Sequence, residues 1–154
     1  MKKIVCIFCF ISIFAFHESS EALLINDGNG FIYDDVLDIT WYNAPNFNTL
    51  TYDSYVNWAD TLITVNGFSD WRLPNLVELE SIPSVYSLGP SDVFFPNMAT
   101  LGLYDWDFYS SDKDTNGQPM VRSFYTNTNY AADPNYSYYW IHAIAVKDGE
   151  VLAH

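Results

Sequence analysis

The sequence predicts one α+β domain with two helices and a small, mostly antiparallel sheet. Three observations carry that prediction. Tyr55, Trp58, Ala59, Leu62 and Ile63 recur at helical spacing with Asp53, Asn57 and Asp60 between them. Asn75 followed by Glu78 is a capping pattern that opens a second, shorter helix. The other apolar runs are short, rich in aromatic and β-branched residues, and bounded by Asx-Gly turns, as strands are.

Ahead of this domain, residues 1–22 carry Lys2 and Lys3, an apolar run from Ile4 to Phe16, and small residues Ser20 and Ala22 at signal-peptidase spacing. The run is shorter than the ~20 residues a spanning helix needs. It reads as a signal peptide cleaved after Ala22, leaving a domain over residues 23–154. The expected address is secreted, periplasmic or cell-surface, with no membrane insertion after cleavage. Cys6 and Cys9 are the only cysteines and both lie in the leader, so the mature domain has no disulfide, thiol nucleophile or thiolate ligand.

Nineteen acidic residues against six basic ones give a formal net charge of −13. Lys2 and Lys3 offset Glu18 and Glu21, so the whole excess belongs to the mature domain. A surface of that sign repels nucleic acid, anionic lipid and sulfated polysaccharide. An aromatic content of 18% nevertheless gives the chain a core to bury, unlike a disordered acidic tail.

In chain order, the turn cluster Asp27-Gly28-Asn29-Gly30 precedes a strand at Phe31-Ile32-Tyr33, whose hairpin partner is Ile39-Thr40-Trp41-Tyr42. Residues 43–50, with Pro45 and three asparagines, are expected to form a loop. The first helix starts near Thr51 and is expected to end near Asn66-Gly67; the second spans about residues 76–82 and stops at Pro83. Residues 86–103, with Gly89-Pro90, Pro96 and Gly102, form an irregular connection. Strands at residues 106–111 and 120–125 flank an Asn116-Gly117 turn. The strongest strand signal covers residues 138–146, and Asp148-Gly149 turns it back toward Glu150-Val151-Leu152.

Two stretches could carry a site. Asp112, Asp114 and Asn116 alternate before Gly117 like the first half of a calcium loop, with Asp105 and Asp107 near in sequence. The twelfth position is Ser123, where such a loop needs a bidentate glutamate, and an Asn-Gly hairpin with solvated acids explains the same residues. Calcium is therefore possible and no other cofactor is expected; Asp27, Asn29 and Asp34 are a weaker set of the same kind. The second stretch holds Tyr125, Asn127, Asn129, Tyr130, Asp133, Asn135 and Tyr136. Tyrosine and asparagine in such density supply rigid aromatic area with adaptable hydrogen bonding, as recognition loops do. A tyrosine-rich loop packed on its own sheet is the competing explanation.

Catalytic readings find little support. His142 sits in an apolar strand as a core residue, His154 is the only other histidine of the mature domain, and no nucleophile elbow or phosphate loop is present. Glu78 and Glu80 point to different helix faces. Arg72, between Trp71 and Leu73, is placed to meet a buried carboxylate or backbone carbonyls and to pin the second helix to the sheet.

Asp70-Trp71-Arg72-Leu73-Pro74 with Glu78-Leu79 resembles the signature of a bacterial family named after the C-terminal domain of the Legionella collagen-like protein, formerly domain of unknown function 1566. Asp27-Gly28-Asn29-Gly30 and Asp35-Val36-Leu37-Asp38-Ile39-Thr40-Trp41 are similar to its opening hairpin, and Tyr109-Ser110-Ser111 and the stretch from Trp140 through Gly149 resemble its later strands. The resemblance implies a C-type-lectin-like fold, in which the two chain ends meet in one sheet. It further implies a non-catalytic adhesion module with an extracellular carbohydrate or protein ligand, and a structural role for Asp70, Trp71, Arg72, Leu73, Pro74, Glu78 and Trp140. The named member binds sulfated glycosaminoglycans, a ligand that a net charge of −13 opposes here. A metal-dependent enzyme on the same scaffold and a structural envelope protein are the alternatives.

Overall fold

The structure is a computed structural model that describes residues 24–26, 30–62, 67–82 and 106–151. The expected leader, the turn residues Asp27, Gly28 and Asn29, Pro83, the connection 86–103, Asp105, Leu152 and His154 lie outside the described residues. Within them are two helices and a seven-stranded, mostly antiparallel sheet, the α+β architecture expected. The elements are β1 (Leu24–Asn26), β2 (Phe31–Asp34), β3 (Ile39–Asn46), α1 (Tyr52–Thr61), α2 (Leu76–Ser81), β4 (Asp107–Lys113), β5 (Pro119–Ser123), β6 (Thr128–Ala131) and β7 (Ile141–Asp148). The strand order is β1-β2-β3-β7-β4-β5-β6, so the last strand lies at the centre, beside the N-terminal hairpin.

β7 explains the two-layered core. Central strands are buried on both faces and read as continuous apolar runs, and residues 141–146 are buried throughout. Ile141, Ala143 and Ala145 face one cluster, with Tyr52, Tyr55 and Ala59 of α1, Phe31, Trp71, Tyr109 and Val121. Ile144 and Val146 face the other, with Ile32, Trp41, Leu79, Ile82, Trp106, Phe108 and Phe124. Small alanines on the α1 side let Tyr55 come close enough for its hydroxyl to donate to the Ile141 carbonyl at 2.9 Å.

Helix α1 ends at Thr61, several residues before the expected stop near Gly67, with the Leu62 amide bonded back to Ala59. Helix α2 begins as the sequence indicates. Asn75 Oδ1 accepts from the Glu78 amide at 2.9 Å, and Glu78 Oε2 accepts from the Asn75 amide at 2.7 Å, a complete capping box.

The segment ahead of α2 acts as a wedge. β4 pairs with β7, in parallel, only through Asp107 with Ile141 and Phe108 with His142. Further along, Arg72 takes the vacated edge of β7, exchanging both backbone bonds with Val146 at 2.9 Å. The Pro74 carbonyl accepts from Ser111 of β4 at 2.8 Å. From this position the Arg72 guanidinium grips the buried Glu78 carboxylate with two bonds, 2.8 and 2.7 Å, and reaches Asp148 at 2.6 Å. Glu78 foremost, then Asp148, hold the guanidinium proton above its ordinary range.

His142, expected as a core residue, is buried against Trp106, Phe108 and Phe47. Its Nδ1 has no hydrogen-bond partner among the described residues. Burial pushes its pKa down from 6.5 to about 4.

Two outcomes follow from these contacts. Arg72→Ala strands a buried carboxylate; discounted for the partial exposure of the arginine, it should cost about 2 kcal/mol, whereas Asp148→Ala, at an exposed partner, should cost under ~1 kcal/mol. Urea denaturation reads both, and equal losses would overturn the assignment of the grip to Glu78. For His142, the unfolded chain binds a proton near pH 6.5 and the native chain only near pH 4. Its contribution is thus complete above pH 6.5 and lost as pH falls toward 4, up to about 3 kcal/mol. Melting profiles of wild type and His142→Phe should diverge in steepness across that window, and parallel profiles would refute it.

Candidate functional site

The residues singled out between Tyr125 and Tyr136 separate into ties and exposed groups. Arg122 on β5 is only 8% exposed, and a buried guanidinium requires acceptors. Asn127 supplies one from the turn joining β5 to β6, where its φ of 57° suits asparagine. Asn129 on β6 supplies another at 3.3 Å, while its Nδ2 donates to Glu80 of α2 at 2.8 Å. These two asparagines are exposed, and their side chains are bonded to partners within the domain.

Tyr130 is also a tie. Its hydroxyl donates to Asp107 Oδ2 at 2.5 Å. Burial, then the bond to Asp107, push the Tyr130 hydroxyl well above the usual tyrosine range, so it stays a donor. The Asp107 amide completes the arrangement by donating to the Trp140 carbonyl at 3.3 Å. Trp140 is thereby held from its backbone at the head of β7.

What projects from this base is an aromatic ledge. Asp133 closes an Asx turn, accepting from the Asn135 amide at 2.9 Å. Beyond it, Tyr136 is 61% exposed, Tyr139 75% and Trp140 40%. Ring centroids follow one another from Tyr136 to Tyr138 at 4.9 Å, Tyr138 to Trp140 at 5.2 Å and Trp140 to Tyr139 at 4.6 Å. Tyr138 is half-buried and roots the ledge in the α1-side core. Tyr125 is 51% exposed on the separate β5–β6 turn.

The sequence assigned residues 138–140 to a strand, and the structure corrects this: β7 starts at Ile141, and Tyr139 and Trp140 lie in a turn. The signal was available, since adjacent strand residues point to opposite faces and a core on both sides of β7 has no place for successive rings as large as these. β6 was missed as well, because Thr-Asn-Tyr-Ala has no alternation of its own and is shaped by pairing with β5.

Of the candidate calcium ligands, Asp114 and Asn116 lie together, the Asn116 Nδ2 donating to Asp114 Oδ2 at 3.2 Å, while Asp112 is bonded elsewhere. Asp112 Oδ2 accepts from the Leu76 amide at the start of α2, at 2.8 Å. Asp114 turns onto its own hairpin, accepting from the Asn116 and Gln118 amides, each at 2.8 Å. Those backbone donors, Gln118 foremost, lower its pKa. Among the described residues no cluster of three or more His, Cys, Asp or Glu side chains is placed to hold a metal ion.

Comparison with known proteins agrees with the motif around Arg72. No curated protein and no solved structure matches the chain. A family model described as the Lcl C-terminal domain matches residues 30–151, spanning the opening hairpin, the Trp71-to-Leu79 wedge and β7. By that match over most of its length, the chain belongs to the Lcl C-terminal domain family.

Proposed function

We propose that this domain is a secreted, non-catalytic binding module that recognises carbohydrate or protein through the ledge of Tyr136, Tyr139 and Trp140. The single observation behind the proposal is that ledge. Three large aromatic side chains stand exposed side by side, on a base held by Asp107, Tyr130 and Asp133. Exposed rings so grouped and so fixed suit stacking on a sugar face or an apolar peptide side chain. Family membership is compatible with a binding role.

The same reading takes the fold as C-type-lectin-like. Its support is the meeting of N-terminal β1–β3 and C-terminal β7 in one sheet half, with the loops of the other half left to carry the ligand. No described helix is long and apolar enough to cross a membrane.

The test is a glycan and protein panel probed with wild type, Tyr136→Ala, Tyr139→Ala and Tyr125→Ala. Removing one ledge ring should weaken a bound ligand roughly tenfold, about 1.4 kcal/mol, while Tyr125→Ala should bind as wild type. Chelation should leave the signal unchanged. A ligand bound equally by all variants would remove the ledge from the site. A signal lost on chelation and restored by calcium would return the site to Asp112 and Asp114.

A further inference from the structure

Near the ledge runs an edge strand of the sheet. β6 pairs with β5 on one side and, among the described residues, with no strand on the other. Which of its backbone groups face outward follows from the register. The Ala132 amide bonds to the Pro119 carbonyl at 2.9 Å, and Val121 lies opposite Tyr130 and Ser123 opposite Thr128. Bonded pairs alternate along an antiparallel ladder. Thr128 and Tyr130 therefore turn their N–H and C=O toward β5, and Asn129 and Ala131 turn theirs outward. Tyr130, within this strand, donates its hydroxyl to Asp107, whose amide donates to the Trp140 carbonyl, so edge and ledge are joined through Asp107.

Charge decides what can lie there. Of the six basic residues, Lys2 and Lys3 belong to the leader, Arg72 is held by Glu78 and Asp148, and Arg122 is buried beneath Asn127 and Asn129. That leaves Lys113, whose Nζ sits 5.6 Å over the Tyr52 ring, and Lys147, which donates to the Asp148 carbonyl. The β6 edge itself is flanked by carboxylates. Exposed Glu80 bonds to the Asn129 side chain, and exposed Asp133 lies two residues past Ala131. With a net charge of −13 behind them, these groups attract a cation and repel an anion. Exposed tyrosine and tryptophan faces add a direct attraction for ammonium and guanidinium groups.

We propose that the outer edge of β6 and the Tyr136-Tyr139-Trp140 ledge form one dock for an extended polypeptide segment bearing lysine or arginine. The segment adds as a further strand, its backbone meeting Asn129 and Ala131. Its basic side chains lie over the ledge rings and toward Glu80 and Asp133. This rests on the reading of the ledge as the binding surface, and it replaces an open choice of ligand with one chemistry.

The probe is a decapeptide of alternating lysine and threonine, titrated against the full domain by calorimetry, with an alternating glutamate–threonine decapeptide as the charge control. Ala131→Pro is the decisive variant. It removes an N–H that faces outward, so the β5 ladder and the melting temperature are preserved, as proline at a sheet edge allows. The lysine peptide should bind, the glutamate peptide should not, and Ala131→Pro and Tyr139→Ala should each weaken binding at least tenfold. Binding of the lysine peptide unaltered by Ala131→Pro would overturn the strand-addition dock. Neutral glycans bound through Tyr139 with no binding of the lysine peptide would overturn it while leaving the ledge as a binding surface. No binding by peptides or by the glycan and protein panel would sink both. A dimer in light scattering that Ala131→Pro converts to monomer would assign the edge to a second copy, against this proposal.

Discussion

The grip of Arg72 on Glu78 is the contact on which the rest of the domain depends. One guanidinium satisfies a buried carboxylate that is itself half of the capping box, so the start of α2 and the charge of Arg72 are settled together. The backbone of the same residue occupies the edge of β7 that β4 leaves vacant. Without that filler the central strand would carry unpaired polar groups in the middle of a sheet, where such groups cost the most. The sheet can therefore split into two halves that diverge along β7. The family match covers this wedge together with the strand it serves.

Much of this was legible in the sequence because its causes are local. Asn75 and Glu78 are three residues apart and need no knowledge of the fold to cap a helix. The hairpin of Phe31 to Tyr42 and the Asn116-Gly117 turn are likewise short-range, and Gly117 has the positive φ of 80° that such a turn requires. Long-range pairings were not legible. That Arg72 should meet a carboxylate could be read from its apolar flanks; that a second one would be Asp148, at the far end of the chain, could not. The parallel contact between β4 and β7 is of the same kind, two residue pairs with nothing in either segment to announce them.

The site shows the limit differently. Of the residues the sequence groups together, Tyr136, Asp133 and Asn135 lie in the ledge or its base, while others are bonded to partners within the domain. Asn127, Asn129 and Tyr130 have the residue types of a recognition loop, and they spend that chemistry on Arg122, Glu80 and Asp107. Composition cannot separate a tyrosine that presents a face from one that donates a hydroxyl inward. Burial around the side chain decides, and burial depends on strands distant in the chain.

β7 also separates the end of the described chain from the ledge. Thr40 donates to the Gly149 carbonyl at 2.7 Å and accepts from the Val151 amide, fastening the end of the described chain to β3. Leu24 begins β1, at the outer margin of the same half of the sheet. β6 is the opposite margin of a seven-stranded sheet, about 29 Å away at the usual strand spacing. The described chain leaves past the tail of β7, while the ledge sits at the head of that same eight-residue strand, about 26 Å away at the usual rise per residue. The fastening of Gly149 and Val151 to Thr40 therefore secures the tail of β7 without using any residue of the ledge.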